Sequence, residues 1–161
     1  QDSEGHKGVT LAGEVQVMSA GTGITHSEYN LTNEPLTLFQ IWIEPNKRNV
    51  KPRWDSKLFS VHTGNPALPL LVSGYPDEQD NALFINQDAR IYGGKVKKGT
   101  QFSHPITHQA YVLASRGEFE IIDNQQTVLM KKGDGAEVTK HKGITIKALS
   151  DAEIIVIDAP V

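Results

Sequence analysis

Short runs of apolar residues, separated by turn-forming residues, recur along the whole chain, and helical periodicity is nearly absent. β-Branched and aromatic residues dominate these runs, whereas Gly, Asn, Asp and Pro separate them. Even spacing of this kind is typical of an all-β sandwich or barrel. The pattern predicts strands over residues 15–19, 36–44, 58–62, 68–73, 82–85, 89–96, 109–115, 118–122, 127–130, 136–139, 144–149 and 153–158.

Two segments stand out from this regular alternation. The run LTLFQIWIE at 36–44 is the most strongly β-prone, and because it is apolar on both faces we expect both faces to be covered. The next stretch, EPNKRNVKPRW at 44–54, has two Pro and four cations, which is typical of a linker or long loop. Its alternative, a basic nucleic-acid patch, is disfavoured because the surrounding charge is acidic and few aromatics interleave.

Composition narrows the class of protein. The chain has 161 residues, 38% hydrophobic and 22% charged, which suits one or two small globular domains. A net charge of −3 gives no basic footprint, so we expect no direct nucleic-acid binding. Cys is absent, which excludes disulfides and thiolate sites and is compatible with a cytoplasmic location. No apolar run approaches the roughly 18 residues that span a bilayer, so no membrane partner is expected.

The candidate chemistry lies in GEVQVMSAGTGITHSEYN, residues 13–30. A strand-like run is followed by a loop of small residues, and His26 and Glu28 come directly after this loop. If 24–30 is extended, residues i and i+2 share a face, so an imidazole and a carboxylate point the same way. The pair would serve as neighbouring metal ligands or as a base and its partner.

The same stretch carries a family resemblance. Gly13, the turn around Gly21 and Gly23, and His26-x-x-x-Asn30 resemble the second conserved motif of a cupin. The sequence MSAGTGITHSEYN, together with QIWIEPN and the ending IIVIDAP, resembles sequences of the pirin family and of its bacterial quercetinase-like branch. The resemblance implies an all-β bicupin, that is, two double-stranded β-helix (jelly-roll) barrels in tandem.

On that resemblance, residues 1–45 are the end of an N-terminal cupin and carry its metal-site half, 46–59 form a linker, and 60–161 form a C-terminal cupin. Pirin-like proteins have a long segment, with a His-x-His pair, before a turn like the one at 2–5. We therefore expect a fragment whose first barrel is incomplete. Its exposed edges should either pack against the second barrel or pair between chains, giving a dimer.

The resemblance also implies a function for the intact protein. It is a metal-dependent dioxygenase of the quercetin 2,3-dioxygenase type, acting on a flavonol-like aromatic substrate, with Fe(II) the expected divalent transition metal. His26 and Glu28 would bind the metal, and Glu28 would also be the general base. The alternative is a non-enzymatic regulatory, protein-binding module. The chain itself is expected to be an inactive fragment, with His6 the nearest substitute ligand and Gln16 and Asn30 supporting residues by type.

The second barrel is expected to lack a metal. At its first cupin motif the family's ligand positions hold Pro105, Thr107 and Tyr111, and Ile144 stands where the partner motif has its ligand His. The four-residue spacing of His104 and His108 leaves a weaker alternative, a site of their own. We expect Trp42 in the core and Trp54 in interdomain packing.

Overall fold

The computed structural model describes residues 1–3, 5, 7–59, 67–123 and 126–161. Within these ranges the chain is almost entirely β, as expected, with a single 3-10 turn at Pro76–Glu78. No helix among these residues has the length and apolar character needed to cross a membrane. The strands are β1 Glu14–Ser19, β2 Arg53–Leu58, β3 Leu70–Ser73, β4 Leu83–Phe84, β5 Arg90–Val96, β6 Gln101–Pro105, β7 Gln109–Arg116, β8 Glu118–Ile122, β9 Thr127–Lys131, β10 Gly135–Val138, β11 Gly143–Ala148 and β12 Ala152–Ala159.

Two sheets form the barrel in the second half of the chain. The larger has the order β10-β7-β12-β5-β3-β4, and the smaller has the order β6-β11-β8-β9. Neighbouring strands are antiparallel except for β3 and β4, which are parallel. The shared core combines side chains from both sheets, including the fully buried Phe119, Val112, Ile146 and Val156. Burial of each such side chain contributes about 1.5–3 kcal/mol.

Strand β12 shows how the sequence produces this arrangement. Its burial alternates strictly, so that Ala152, Ile154, Val156 and Asp158 face the barrel interior. The strand pairs with β5 on one side and β7 on the other. Its remaining apolar residues, Ile155 and Ile157, lie on the outer face, where they meet a second apolar cluster.

That second cluster joins the N-terminal residues to the barrel. Strand β1 pairs antiparallel with β2, from Glu14 opposite Leu58 to Ser19 opposite Arg53. Val15, Val17 and Ile43 then pack on a centre formed by residues of β3, β4 and β5. The N-terminal part of the chain is thus held against the outer face of the larger sheet.

The predicted strand at 36–44 is wrong. No strand forms there, and Trp42, expected in the core, is 86% exposed. The apolar run has strong β propensity, but its backbone forms no ladder with the described residues, and a strand without a neighbour does not bury its faces. Only Ile43, at its end, packs into the second cluster.

Other differences are smaller. Strand β2 lies inside the segment expected to be a linker, and β6 was not predicted because His104, Pro105 and other polar residues interrupt its pattern. Most of the predicted strand 58–62 lies outside the described residues. Trp54 is half-buried on β2, close to Gly8.

Candidate functional site

A tight turn carries the chain from β1 to His26. Gly21 has a φ of 55°, and a Cβ there would collide with the carbonyl oxygen of Val50. The Thr22 amide donates to that same carbonyl at 3.2 Å, and the Gly23 amide closes the turn on Ala20 at 2.8 Å. Glycine at position 21 is therefore required by close backbone approach as well as by its φ.

The segment after this turn is held by the first residues of the chain. The Ser3 amide donates to the Thr25 carbonyl at 2.8 Å, and the Ser27 amide donates to the Gln1 carbonyl at 2.9 Å. Between these bonds His26 lies opposite Asp2 in an antiparallel bridge. The backbone at His26 is thus extended, which is the condition for His26 and Glu28 to share a face.

The side chains of His26 and Glu28 are both exposed, and neither forms a hydrogen bond or ion pair with another described residue. Neutral imidazole and carboxylate are donors that suit a divalent transition metal. The donor types therefore fit a metal, but their number falls short: the described residues contain no group of three His, Cys, Asp or Glu side chains arranged to hold an ion. His6 lies outside the described residues.

Asp2 is a neighbour of the site that sequence reasoning missed. Residues opposite each other in an antiparallel pair share a face, so Asp2 lies on the face of His26. The turn signal at 2–5 was visible in the sequence, but nothing in it indicated pairing with 25–27. Even with Asp2 counted, no three-ligand group forms among the described residues.

Gln16 and Asn30, the expected supporting residues, have other roles. Gln16 accepts a hydrogen bond from the Thr10 hydroxyl at 3.0 Å. Asn30 organises the turn that follows it, because its amide donates to the Glu34 carbonyl at 2.8 Å and its oxygen accepts from Thr32. Both side chains shape the chain around the site.

His104 and His108 do not form one site. His104 is 3% exposed on β6 and meets the Tyr92 ring edge-on, with ring centroids 4.6 Å apart. Its Nε2 is buried without a hydrogen-bond partner. Burial lowers the pKa of His104, and the charge of Asp158 opposes this shift.

His108 belongs to a different arrangement, centred on Asp158. Asp158 is 2% exposed and accepts hydrogen bonds from the backbone amides of Thr107 at 2.6 Å and His108 at 2.9 Å. This fixes the loop between β6 and β7. The ring of His108 then shares a 3.0 Å hydrogen bond with the Tyr75 hydroxyl.

Arg90 closes the same end of the barrel. Its Nε donates to both carboxylate oxygens of Glu78 at 2.9 Å, its guanidinium lies 3.8 Å from the centre of the Tyr75 ring, and Nη1 donates to the Thr107 hydroxyl. Burial raises the pKa of Glu78, but hydrogen bonds from Arg90 and Ser73 and the Arg90 charge outweigh it, so that this pKa lies below its usual value. The charged groups of Arg90 and Glu78 are paired with each other, which indicates a structural role for this cluster.

The remaining described histidine, His141, forms no metal-binding group with His26. His141 lies with Nε2 3.6 Å from an Asp123 carboxylate oxygen, beside the β8–β9 connection. His62 lies outside the described residues.

Comparison with known proteins assigns both parts of the chain. The family model described as Pirin matches residues 1–43, and the one described as quercetinase C-terminal cupin domain matches residues 70–159. A pirin-like protein of Caulobacter vibrioides is 41% identical over 99% of this chain and 67% of its own length. A quercetin 2,3-dioxygenase of Escherichia coli K12 is 36% identical over 99% of this chain and 67% of its own length.

Solved structures agree with these relatives. The crystal structure of YhhW from Escherichia coli matches with a TM-score of 0.87 at 36% identity, covering all of this chain and 67% of YhhW. A second structure of that bacterial pirin, in complex with nickel(II), matches with a TM-score of 0.86 and covers 66% of its chain. The present chain spans about two thirds of the length of these relatives. The fold expected from the resemblance is confirmed, and the chain belongs to the pirin family.

Proposed function

We propose that this chain carries part of the metal centre of a quercetin 2,3-dioxygenase-type enzyme, with His26 and Glu28 as two of the ligands. The observation that carries the proposal is the pair itself: an imidazole and a carboxylate, two positions apart on a held segment, both without partners among the described residues. The relative from Escherichia coli named quercetin 2,3-dioxygenase supports the reaction class. The nickel(II) complex of YhhW supports a divalent transition metal.

Fe(II) is the metal that we propose. When bound, a divalent transition metal supplies Lewis acidity and a template that orients the substrate. In this chain His26 would hold it through a neutral imidazole nitrogen, and Glu28 through a carboxylate oxygen. The turn at Gly21 and the bonds to Gln1 and Ser3 fix the backbone that presents both donors.

Glu28 has a second role in the proposal, as general base. Its exposed carboxylate would accept the proton of a flavonol 3-hydroxyl, which requires an oxygen–oxygen distance of about 2.6–3.2 Å in the complex. A carboxylate that binds a cation is a weaker base, so the oxygen that takes the proton must be able to leave the metal. The flavonol-like substrate is proposed on the relatives' names, because no described cleft selects it.

Two ligands hold a metal weakly, and the described residues do not supply a third. We therefore propose that the 161-residue chain by itself is inactive toward quercetin. Catalysis would need further ligands from outside the described residues.

The test is titration of the chain with Ni(II) and, without oxygen, with Fe(II), followed by quercetin turnover under air. We expect binding of one ion per chain, weaker than micromolar, that is lost in His26→Ala and Glu28→Gln. Glu34→Gln is the matched control, since Glu34 is an exposed glutamate of the same segment, and it should bind as wild type. Metal binding that survives both His26→Ala and Glu28→Gln would overturn the site.

Turnover separates the remaining alternatives. No turnover above that of free metal is expected for this chain. Quercetin oxidation that is lost in Glu28→Gln would overturn the inactivity while supporting the assigned residues. Absence of any metal binding, with the fold intact, would overturn the assignment of His26 and Glu28 as a metal site of this chain and favour the regulatory module.

A further inference from the structure

The ring of His104 is a buried polar group inside the C-terminal barrel. The residue is 3% exposed, and its Nε2 forms no hydrogen bond with the described residues. Its cross-strand neighbour on β11, Ile144, is apolar and also buried. Nearly every buried polar atom of a native protein has a partner, so an exception needs a physical explanation.

Two ionisable groups act on this ring from the larger sheet. Tyr92 on β5 meets it edge-on, with ring centroids 4.6 Å apart, and burial raises the pKa of the Tyr92 hydroxyl, so this group carries no charge. Asp158 on β12 acts through its charge, which favours the protonated imidazole. Asp158 is therefore the counter-charge that a protonated His104 would meet.

The carboxylate of Asp158 holds residues 106–108, which we call the β6–β7 loop. Its Oδ2 accepts from the Thr107 amide at 2.6 Å, and its Oδ1 accepts from the His108 amide at 2.9 Å. The loop in turn bonds to two side chains at this end of the barrel. Arg90 donates to the Thr107 hydroxyl at 3.0 Å, and the His108 ring shares a 3.0 Å hydrogen bond with the Tyr75 hydroxyl.

We propose that His104 and Asp158 form a pH-dependent switch that controls the β6–β7 loop. While His104 is neutral, Asp158 holds the two loop amides. When His104 takes up a proton from solvent, Asp158 turns from the amides to the Nε2–H of His104, because a buried cation requires a counter-charge. The loop is then released, and its contacts with Arg90 and Tyr75 are lost.

The exchange of partners is physically reasonable. A hydrogen bond between opposite charges is about twice as strong as one between neutral groups, so protonated His104 competes with the neutral amides for the carboxylate. Thr107 and His108 lie between β6 and β7, so their release breaks no strand ladder. The switch involves neither the side chain of His26 nor that of Glu28, so it does not depend on the proposed function.

An NMR titration of the full chain from pH 8 to pH 4.5 tests the switch. The resonances to follow are those of the His104 ring and of the Thr107 and His108 amide protons. We expect the ring to titrate below the ordinary pKa of 6.5, because burial lowers the pKa of His104. Both amide protons should move upfield with the same midpoint as the ring. Their hydrogen-exchange protection should fall by about tenfold or more, while β12 stays protected.

The substitutions separate the switch from other titrations. His104→Phe should abolish the response of both amides, and His104→Gln, which keeps a neutral polar side chain, should do the same. The matched control His141→Gln removes a histidine outside the barrel interior, and His108→Gln removes the titration of the loop's own ring. Both controls should respond as wild type does.

Three results would overturn the proposal. One is a response that persists in both His104→Phe and His104→Gln, which would assign it to protonation of Asp158 itself. Another is a pair of loop amides that do not move with the His104 ring. The third is a ring that stays neutral until circular dichroism shows that the barrel has unfolded.

Discussion

Replacing Asp158 by Ala should destabilise the barrel more than replacing any exposed aspartate. The substitution removes the acceptor of two backbone amides, those of Thr107 and His108, from a residue that is 2% exposed. Hydrogen bonds to a charged group contribute about 1.5–3 kcal/mol each, and the exposed side of the loop lets water recover part of the loss. We expect the free energy of unfolding to fall by about 2–4 kcal/mol.

Urea denaturation followed by circular dichroism measures this loss. With an m-value of roughly 2–3 kcal/mol/M, the midpoint should fall by roughly 0.7–2 M while m stays constant. Asp151→Ala is the control, because Asp151 also accepts from a backbone amide, that of Lys98 at 2.9 Å, but its side chain is 66% exposed. Its midpoint should change much less. A loss below about 1 kcal/mol in Asp158→Ala, at constant m, would refute the reasoning.

Two further changes probe the same barrel. Gly117→Ala should lower the free energy of unfolding by about 2 kcal/mol or more, because φ is 75° and the new Cβ would lie 2.2 Å from the Asp151 carbonyl oxygen. The control Gly99→Ala, where φ is 82° but the space is open, should cost about 1 kcal/mol. Equal urea midpoints for the two variants would contradict this prediction. His104→Phe should remove part of the acid sensitivity of folding. Burial lowers the pKa of His104 in the folded protein, so as the pH falls the unfolded chain takes up this proton first. The contribution of the neutral His104 to the free energy of unfolding is therefore complete above the ordinary pKa of 6.5 and decreases below it by at most about 1.4 kcal/mol per pH unit. Thermal midpoints from pH 8 to 4.5 should therefore fall less steeply for His104→Phe than for wild type, and parallel curves would contradict the prediction.

Local composition was sufficient to predict β12, although its partners β5 and β7 lie far away in the chain. The run at 153–158 is rich in β-branched residues, and the strand forms there with burial that alternates along it. The sequence of this strand also contained information that the prediction did not use. Asp158 lies an even number of residues from Ile154 and Val156 and so shares their face, which implies a buried carboxylate that needs hydrogen-bond donors. The strand predicted at 36–44 was wrong because β propensity shows only that a segment can form a strand. Whether it does depends on a neighbouring strand with which to pair.

The candidate site likewise has features that the sequence could predict and features that it could not. The shared face of His26 and Glu28 was predicted from their two-residue spacing, which is a local property, and it stays a prediction. The approach of Asp2 to His26 could not be predicted, because it arises from backbone pairing between the first residues and residues 25–27. The partners of Arg90 come from two loops that the fold brings together at one end of the barrel.

The position of β12 has a consequence for how the protein is made. Strand β12 lies at the centre of the larger sheet, between β5 and β7, although it follows β5 by more than fifty residues. Until β12 has been synthesised, β5 and β7 lack their common neighbour, and the apolar residues that later face β12 stay open to solvent. The barrel can therefore close only once β12 is available, through slow non-local pairing. Chains in which β12 has not yet inserted would be exposed to aggregation and to chaperone binding.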